Sequence, residues 1–336
     1  MDPLVSILIP AYNAEVWVTD AIRSALGQTW RRKEVVVVDD GSRDHTLRVA
    51  RQFVSEGVSV FTQSNQGAAA ARNKAFSLCH GDYIQWLDAD DLLAPDKIAK
   101  QVEALHTCRS KRTLLSSAWG RFSYRFERAK FSPTPLWCDF LSPTEWLLRK
   151  LEHNAFMQTS AWLVSRELTQ AAGPWDTRLV NDDDGEYFCR VLLASDGVRF
   201  VQEARVFYRV VGSNSVSHIG RSDAKLDAMF LSVQLTVGYL RSLCDSERVR
   251  DASLKLLQRG LALSYPERLD IAEKLQQMAA TLGGKLEAPR PSWKYAWIKY
   301  VFGWSAAKQT ERSYNRLKGS IIRLWDKAMY QVEKYS

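Results

Sequence analysis

The chain has 336 residues, 46% of them hydrophobic and 25% charged, the proportions of an ordinary globular protein with room for about two domains. No apolar run is long enough for a membrane-spanning helix. The stretch Met1-Asp2-Pro3-Leu4 enters a strand-like segment directly, without the basic region or cleavage site of a signal peptide. Cys79, Cys108, Cys138, Cys189 and Cys244 show no metal-knuckle spacing and read as reduced, mostly buried thiols of a cytoplasmic protein. The net charge of +8 belongs to the tail: from Arg290 onward ten Lys/Arg stand against three Asp/Glu, which bears on partners rather than on fold.

In chain order, Val5-Ser6-Ile7-Leu8-Ile9 reads as a buried strand closed by Pro10. Val18, Ile22, Ala25 and Leu26 fall at helical spacing before Gly27. Glu34 to Val38 is a second strand ended by Asp39-Asp40-Gly41-Ser42. A helix opens at Thr46, and Val58 to Phe61 is a third strand. Gly67 leads an alanine-rich helix to about Leu78. Tyr83 to Leu87 is then an apolar strand running into Asp88-Ala89-Asp90-Asp91. This alternation implies an α/β fold with a mostly parallel sheet, its crossovers right-handed and its helices flanking. Both acid pairs then lie at the carboxyl edge of one sheet, where ligands bind in open α/β folds. Crowded carboxylates repel and favour a cation, and hard divalent ions take one or two carboxylates plus phosphate oxygens. An acidic turn leading into the next helix is the plainer reading of the same residues.

Two nucleotide-binding folds are disfavoured. Pro10-Ala11-Tyr12-Asn13 occupies the place of a G-x-G-x-x-G loop, and no Walker A loop is present. Further on, Lys97 to Leu105 reads as a helix, Thr113 to Ala118 as a strand and Trp119 to Phe131 as a hairpin. Ser142-Pro143-Thr144-Glu145 is a capping box. Phe156 to Val164 reads as a strand, and Ser165 caps a short helix ending at Gly173-Pro174.

The ordered motifs Ser6 to Asn13, Gln28-Thr29, Val37 to Ser42, Asn65-Gln66-Gly67 with Ala71-Arg72-Asn73, and Asp88 to Asp91 resemble glycosyltransferase family 2, of GT-A fold, over about residues 4 to 100. The resemblance implies an inverting transferase that uses a nucleotide-diphosphate sugar, a UDP-sugar foremost, and Mg²⁺ or Mn²⁺. Around the nucleotide-sugar it puts Pro10, Ala11, Tyr12, Asn13, Asp39, Asp40, Gly67, Arg72, Asp88 and Ala89. Among these Tyr12 would lie near the base, Asp39 or Asp40 on base or ribose, and Arg72 near the diphosphate. Asp90 would ligate the metal, with Asp88 and His218 as further candidates. In Asn181-Asp182-Asp183-Asp184, Asp184 keeps the family's spacing to Arg190 and is the expected general base, with Asp183 as runner-up. Val206 to Arg209, then Ser213 to Ser217, resemble the motif closing the family's catalytic domain.

The expected organisation is a catalytic domain over 1–220, with 1–100 on the donor side and 101–220 on the acceptor side. A helical region over 221–288 (helices at 221–243, 246–262 and 266–281) and a basic amphipathic tail over 289–336 follow. In the tail Trp293, Trp297, Tyr300, Val301 and Trp304 share one face, and Tyr314, Leu317, Ile321, Leu324 and Trp325 continue the pattern among Arg and Lys. That pattern fits a helix on a membrane surface, placing the protein in the cytoplasm or peripherally at the inner face of the cell membrane. A helical hairpin packed on the catalytic domain or in a homo-oligomer is the competing use of the same face, and no nucleic-acid module is present. The acceptor implied is a glycan or lipid-linked hydroxyl in cell-surface polysaccharide or glycolipid assembly. The alternatives are a non-catalytic GT-A-like binding or scaffold protein and a sugar nucleotidyltransferase.

Overall fold

The computed structural model describes residues 2–108, 110–212, 222–289 and 292–335. The chain forms two compact units, one of residues 1–122 with 128–210 and the other of 123–127 with 211–336.

In the first unit, β1 (Val5–Ala11), β2 (Lys33–Asp39), β3 (Val58–Thr62) and β4 (Tyr83–Trp86) alternate with α1 (Val18–Leu26), α2 (Thr46–Arg51) and α3 (Ala68–Leu78). The strands form one sheet in the order β3-β2-β1-β4-β8, the first four parallel. The edge strand β8 (Val164–Ser165) runs antiparallel to β4. Val5 to Ile9 are buried throughout, as expected of a strand covered on both faces. The small side chains of α3, among them buried Ala69, Ala71 and Ala75, let it lie close to the sheet.

A second sheet, in the order β5-β9-β6-β7, joins β5 (Leu92–Leu93), β6 (Thr113–Phe122), β7 (Lys130–Phe131) and β9 (Gly197–Arg209). β6 and β9 pair in parallel, with a register shift at Ser117/Ala118. The expected hairpin is present in altered form: β6 runs on to Phe122 before β7 pairs back to Gly120 and Arg121. α4 (Lys97–Leu105), α5 (Pro143–Glu152), α6 (Arg166–Ala172) and α7 (Asp183–Ala194) complete this unit. The caps are as expected: the Ser142 hydroxyl accepts from the Glu145 N–H and the Ser165 hydroxyl from the Leu168 N–H.

The strand expected over Phe156 to Val164 does not form. Thr159–Ala161 is a turn of 3₁₀ helix, followed by the two-residue β8. The reason is where its carbonyls bond. Ser160 O accepts from Gln85 Nε2 (2.8 Å), Ala161 O from Ser117 Oγ (2.9 Å) and Gln101 Nε2 (3.2 Å), and Trp162 O from Lys97 Nζ (3.3 Å). Side chains thus satisfy the groups that a ladder would have used.

The second unit contains α8 (Asp223–Leu243), α9 (Glu247–Ser264), α10 (Leu269–Thr281) and α11 (Ala296–Tyr335). α8, α9 and α10 share a core that includes Leu226, Met229, Val233, Leu257, Leu261, Ile271 and Leu275. α11 is interrupted at Gly303, whose φ of 83° only glycine adopts readily. Buried Lys308 of α11 donates to Leu263 O (3.1 Å), Tyr265 O and Glu267 (2.9 Å), holding the helix at the end of α9. Asp326 accepts from Tyr124 N (2.9 Å) and Arg125 Nε (2.8 Å), and Arg125 also pairs with Glu333 (2.9 Å). The opposite side of α11 is open: Tyr314, Leu317, Ile321, Leu324 and Trp325 are each more than half exposed. No helix among the described residues is long and apolar enough to cross a membrane.

Candidate functional site

The sheet order sets β1 between β2 and β4, so the carboxyl ends of three parallel strands meet at one edge. β1 delivers Pro10 and Ala11, and Tyr12 follows, 42% exposed. Asn13 takes a positive φ of 49°, which asparagine tolerates, and its amide oxygen accepts from Arg43 N (2.9 Å). With Ser42 Oγ accepting from Asn13 N (3.0 Å), the loops after β1 and β2 are laced together.

Asp39 and Asp40 are both buried but differ in what they hold. Asp40 accepts from Gln63 Nε2 (2.8 Å), Gln66 N (3.0 Å), Gly67 N (2.8 Å) and Asn65 Nδ2 (3.2 Å). Its oxygens are committed to shaping the loop into α3, where Gly67 at φ 92° is the turning point. Asp39 Oδ2 accepts from Thr62 Oγ1 (3.0 Å) and Ser42 N (3.3 Å), while Oδ1 is buried with no hydrogen-bond partner among the described residues.

Arg72 of α3 is buried and joins two acids from distant parts of the chain, Asp88 (2.9 Å) and Asp183 (2.5 Å). Its guanidinium also lies 4.4 Å from the centre of the Trp175 ring. The two carboxylates hold Arg72 charged more firmly than usual, against the cost of burial. Asp183 is pushed up to about 6: burial raises it and Arg72 lowers it, but Asp184, Asp88 and Asp182 add three like charges that one arginine does not cancel.

After β4, Asp88 and Ala89 lead to Asp90, which is pushed up to about 7 by burial and by Asp88. Asp91 is fully buried and internally satisfied: Oδ1 accepts from Arg209 N (2.8 Å) and Oδ2 from Gln158 Nε2. Arg209 Nε donates to Asp90 O (2.8 Å), fixing the loop from below. Asp184, in the first turn of α7, accepts from Thr159 Oγ1 (3.2 Å) and Gly185 N (2.9 Å). Arg190 turns away, bound to Glu186 (2.7 Å) and Ala172 O, and so ties α7 to the end of α6. His218 lies outside the described residues.

Several contributors carried no individual role in the sequence reading. Asn73 donates to Trp175 O (2.9 Å) and accepts from Trp175 N (2.8 Å), which seats the indole under Arg72. Trp175 stacks on Tyr187 at 3.9 Å. Gln158 and Thr159 reach the acids from the turn that replaces the expected strand. Asn73 and Trp175 each lie in a short motif of the resemblance, Ala71-Arg72-Asn73 and Gly173-Pro174-Trp175-Asp176, whereas for Gln158 and Thr159 the sequence offered only polar residues within an apolar run.

Residues 6–158 match the family model described as Glycosyl transferase family 2. An uncharacterized glycosyltransferase of Haemophilus influenzae is 42% identical over 103 residues, covering 30% of this chain and 41% of that protein. The putative teichuronic acid biosynthesis glycosyltransferase TuaG of Bacillus subtilis is 40% identical over 104 residues, covering 30% and 41%. Chondroitin synthase of Escherichia coli is 45% identical over 98 residues, covering 29% and 14%. These matches span less than half the length of each relative. The crystal structure of S. aureus TarS 1-349 in complex with UDP-GlcNAc superposes with a TM-score of 0.65 at 17% identity, covering 92% of both chains. The fold is therefore GT-A, and residues 6–158, a little under half of the chain, are similar to glycosyl transferase family 2.

Proposed function

We propose that this protein transfers a sugar from a nucleotide-diphosphate sugar, a UDP-sugar foremost, to a hydroxyl of a glycan or lipid-linked acceptor, with inversion, in cell-surface polysaccharide or glycolipid assembly. The observation that carries the reading is the meeting of Tyr12, Asp39, Asp88 and Asp90 at one sheet edge with Asp183 and Asp184, joined through Arg72. Residues 1–100 bind the donor and 101–220 the acceptor, while 221–288 and 289–336 are a helical support and a basic tail. The TarS structures with UDP-GlcNAc and with UDP share the fold and support the choice of nucleotide.

Tyr12 offers an exposed ring to the base, and the unpaired Asp39 Oδ1 is an acceptor for a base or ribose donor. The donor set fits a hard divalent cation. Asp88 and Asp90 are carboxylates under mutual repulsion, whereas the oxygens of Asp91 are already taken. Two carboxylates leave coordination positions that diphosphate oxygens would fill. Mg²⁺ or Mn²⁺ held by Asp90 and Asp88 would offset the charge that grows on the departing diphosphate.

Asp184 is the general base. Hydrogen bonds from Thr159 and Gly185 fix its orientation, while Asp183 is engaged with Arg72. One carboxylate takes the acceptor hydroxyl's proton as the oxygen attacks the anomeric carbon opposite the leaving group, which inverts that carbon. The exposed apolar side of α11, with Arg316 and Lys318 nearby, supports attachment to an anionic membrane surface.

Calorimetric titration of UDP, GDP and dTDP, each with and without Mn²⁺, tests the reading. Binding of UDP that depends on the metal is the expected result. A folded sample that binds none of the three would return the protein to the scaffold reading.

A further inference from the structure

Three aromatic side chains beside the acid cluster are not used by the donor-side reading above. Trp119 of β6, Tyr208 of β9 and Phe156, in the loop before the 3₁₀ turn, pack as a trio. Trp119 meets Phe156 at 5.3 Å and Tyr208 at 6.1 Å, both edge to face, and Phe156 lies 5.9 Å from Tyr208 at 45°. Trp119 is buried, but Phe156 is 40% exposed even though Met157, Gln158 and Thr159 beside it are all buried.

Two members of the trio are close in sequence to residues that hold an acid. Tyr208 precedes Arg209, which binds Asp91 through its N–H and the Asp90 carbonyl through Nε. Phe156 precedes Gln158 and Thr159, which donate to Asp91 and Asp184. Burial first, and then Asp91, Asp90, Asp88 and Asp184, push Tyr208 up to about 12, so its phenol keeps its proton and remains a hydrogen-bond donor. The trio therefore adjoins both the metal-binding acids and the general base, on the side built from residues after 100.

We propose that Phe156, held in place by buried Trp119 and by Tyr208, forms the acceptor platform, on which a pyranose ring is laid so that its free hydroxyl meets Asp184. The acceptor is accordingly a pyranose-containing glycan rather than an acyclic polyol phosphate or a bare lipid alcohol. This rests on the glycosyltransferase reading above. A pyranose chair has a rigid apolar face of C–H groups, which carry slight positive charge, and the faces of aromatic rings are negative. Aromatic side chains lose little conformational freedom on binding because only two torsions are fixed. An acyclic polyol has no fixed face to match, and ordering its chain costs entropy that stacking does not return.

The test is saturation-transfer NMR on the full chain loaded with UDP and Mg²⁺. The probes are methyl N-acetyl-β-D-glucosaminide and methyl β-D-galactopyranoside, with ribitol 5-phosphate as the acyclic comparison. Transfer to the C–H protons of one pyranoside face is expected, and ribitol 5-phosphate should stay silent. Phe156→Ala should weaken pyranoside binding roughly tenfold with UDP affinity unchanged, and Phe156→Tyr should restore it. Equal pyranoside signals in the wild type and Phe156→Ala would overturn the platform, as would saturation of ribitol 5-phosphate with silent pyranosides. Failure of the wild type to bind UDP at all is a separate result: it would remove the glycosyltransferase reading on which the platform depends.

Discussion

Replacing Arg72 by Met removes the cation shared by Asp88 and Asp183 while keeping a long apolar side chain against Trp175. Leaving a fully buried charge without its partner costs about 3–5 kcal/mol. The Asp88 and Asp183 side chains retain 29% and 15% exposure, and water reaching them reduces this to about 2–3 kcal/mol. For a unit of this size that is a fall in melting temperature of about 4–12 °C. The pH dependence gives the sharper check. Asp183 stands at about 6, above its ordinary 3.8. The folded state therefore binds the proton more tightly than the unfolded chain, and stability is lost as pH rises through that interval. Without Arg72 the Asp183 carboxyl rises further, so the variant's deficit is largest in alkaline solution and shrinks where Asp183 is protonated in both proteins. Thermal melts of wild type and Arg72→Met, followed by circular dichroism at about pH 5 and about pH 8, measure this. An equal deficit at both pH values would refute the argument, as would one below about 1 °C.

Asp184→Asn should leave UDP affinity intact and slow transfer by about 10²–10⁴; a larger loss in Asp183→Asn than in Asp184→Asn would exchange their roles. Asp90→Asn should abolish metal-dependent UDP binding by calorimetry while the melting temperature holds or rises, since the change removes a charge that Asp88 repels. Unchanged turnover in that variant would take Asp90 out of the mechanism. Leu317→Glu combined with Leu324→Glu and Trp325→Glu should free the protein from phosphatidylserine vesicles in a flotation assay, with its melting temperature unchanged because these side chains are already exposed. Retained vesicle binding, or a shift from dimer to monomer in sedimentation velocity, would assign that face to a second copy of the chain.

Where local chemistry decides, the sequence was readable. α1 and α4 span the expected residues because apolar spacing and a helix-ending glycine or a fresh start after Pro95 act within one turn. The acid edge was also legible, since strands parallel to β1 must end on the same side. What failed was pairing across distance. Nothing near Gly197–Arg209 announces that it will join β6 and β5, and the full length of β6 follows from that partnership. Residues 156–164 look like a strand because all but Phe156 are buried, but the carbonyls of 160–162 bond to Gln85, Lys97, Gln101 and Ser117, which no period in the segment reveals. At the site, spacing left Asp39 and Asp40 equivalent. The difference appears only when Asp40 is seen bonded to four groups of the 63–67 loop.

The short excursion at 123–127 has a consequence for how the protein is made. Tyr124 and Arg125 find their partner in Asp326, some 200 positions later. On a ribosome, which adds about 5–20 residues per second, this segment emerges long before the carboxylate that will hold it. That segment therefore stays unanchored for roughly 10–40 seconds, until Asp326 of α11 has emerged. Fastening of the 123–127 segment is thus a late event, and a chain cut before Asp326 would leave that segment without its carboxylate partner.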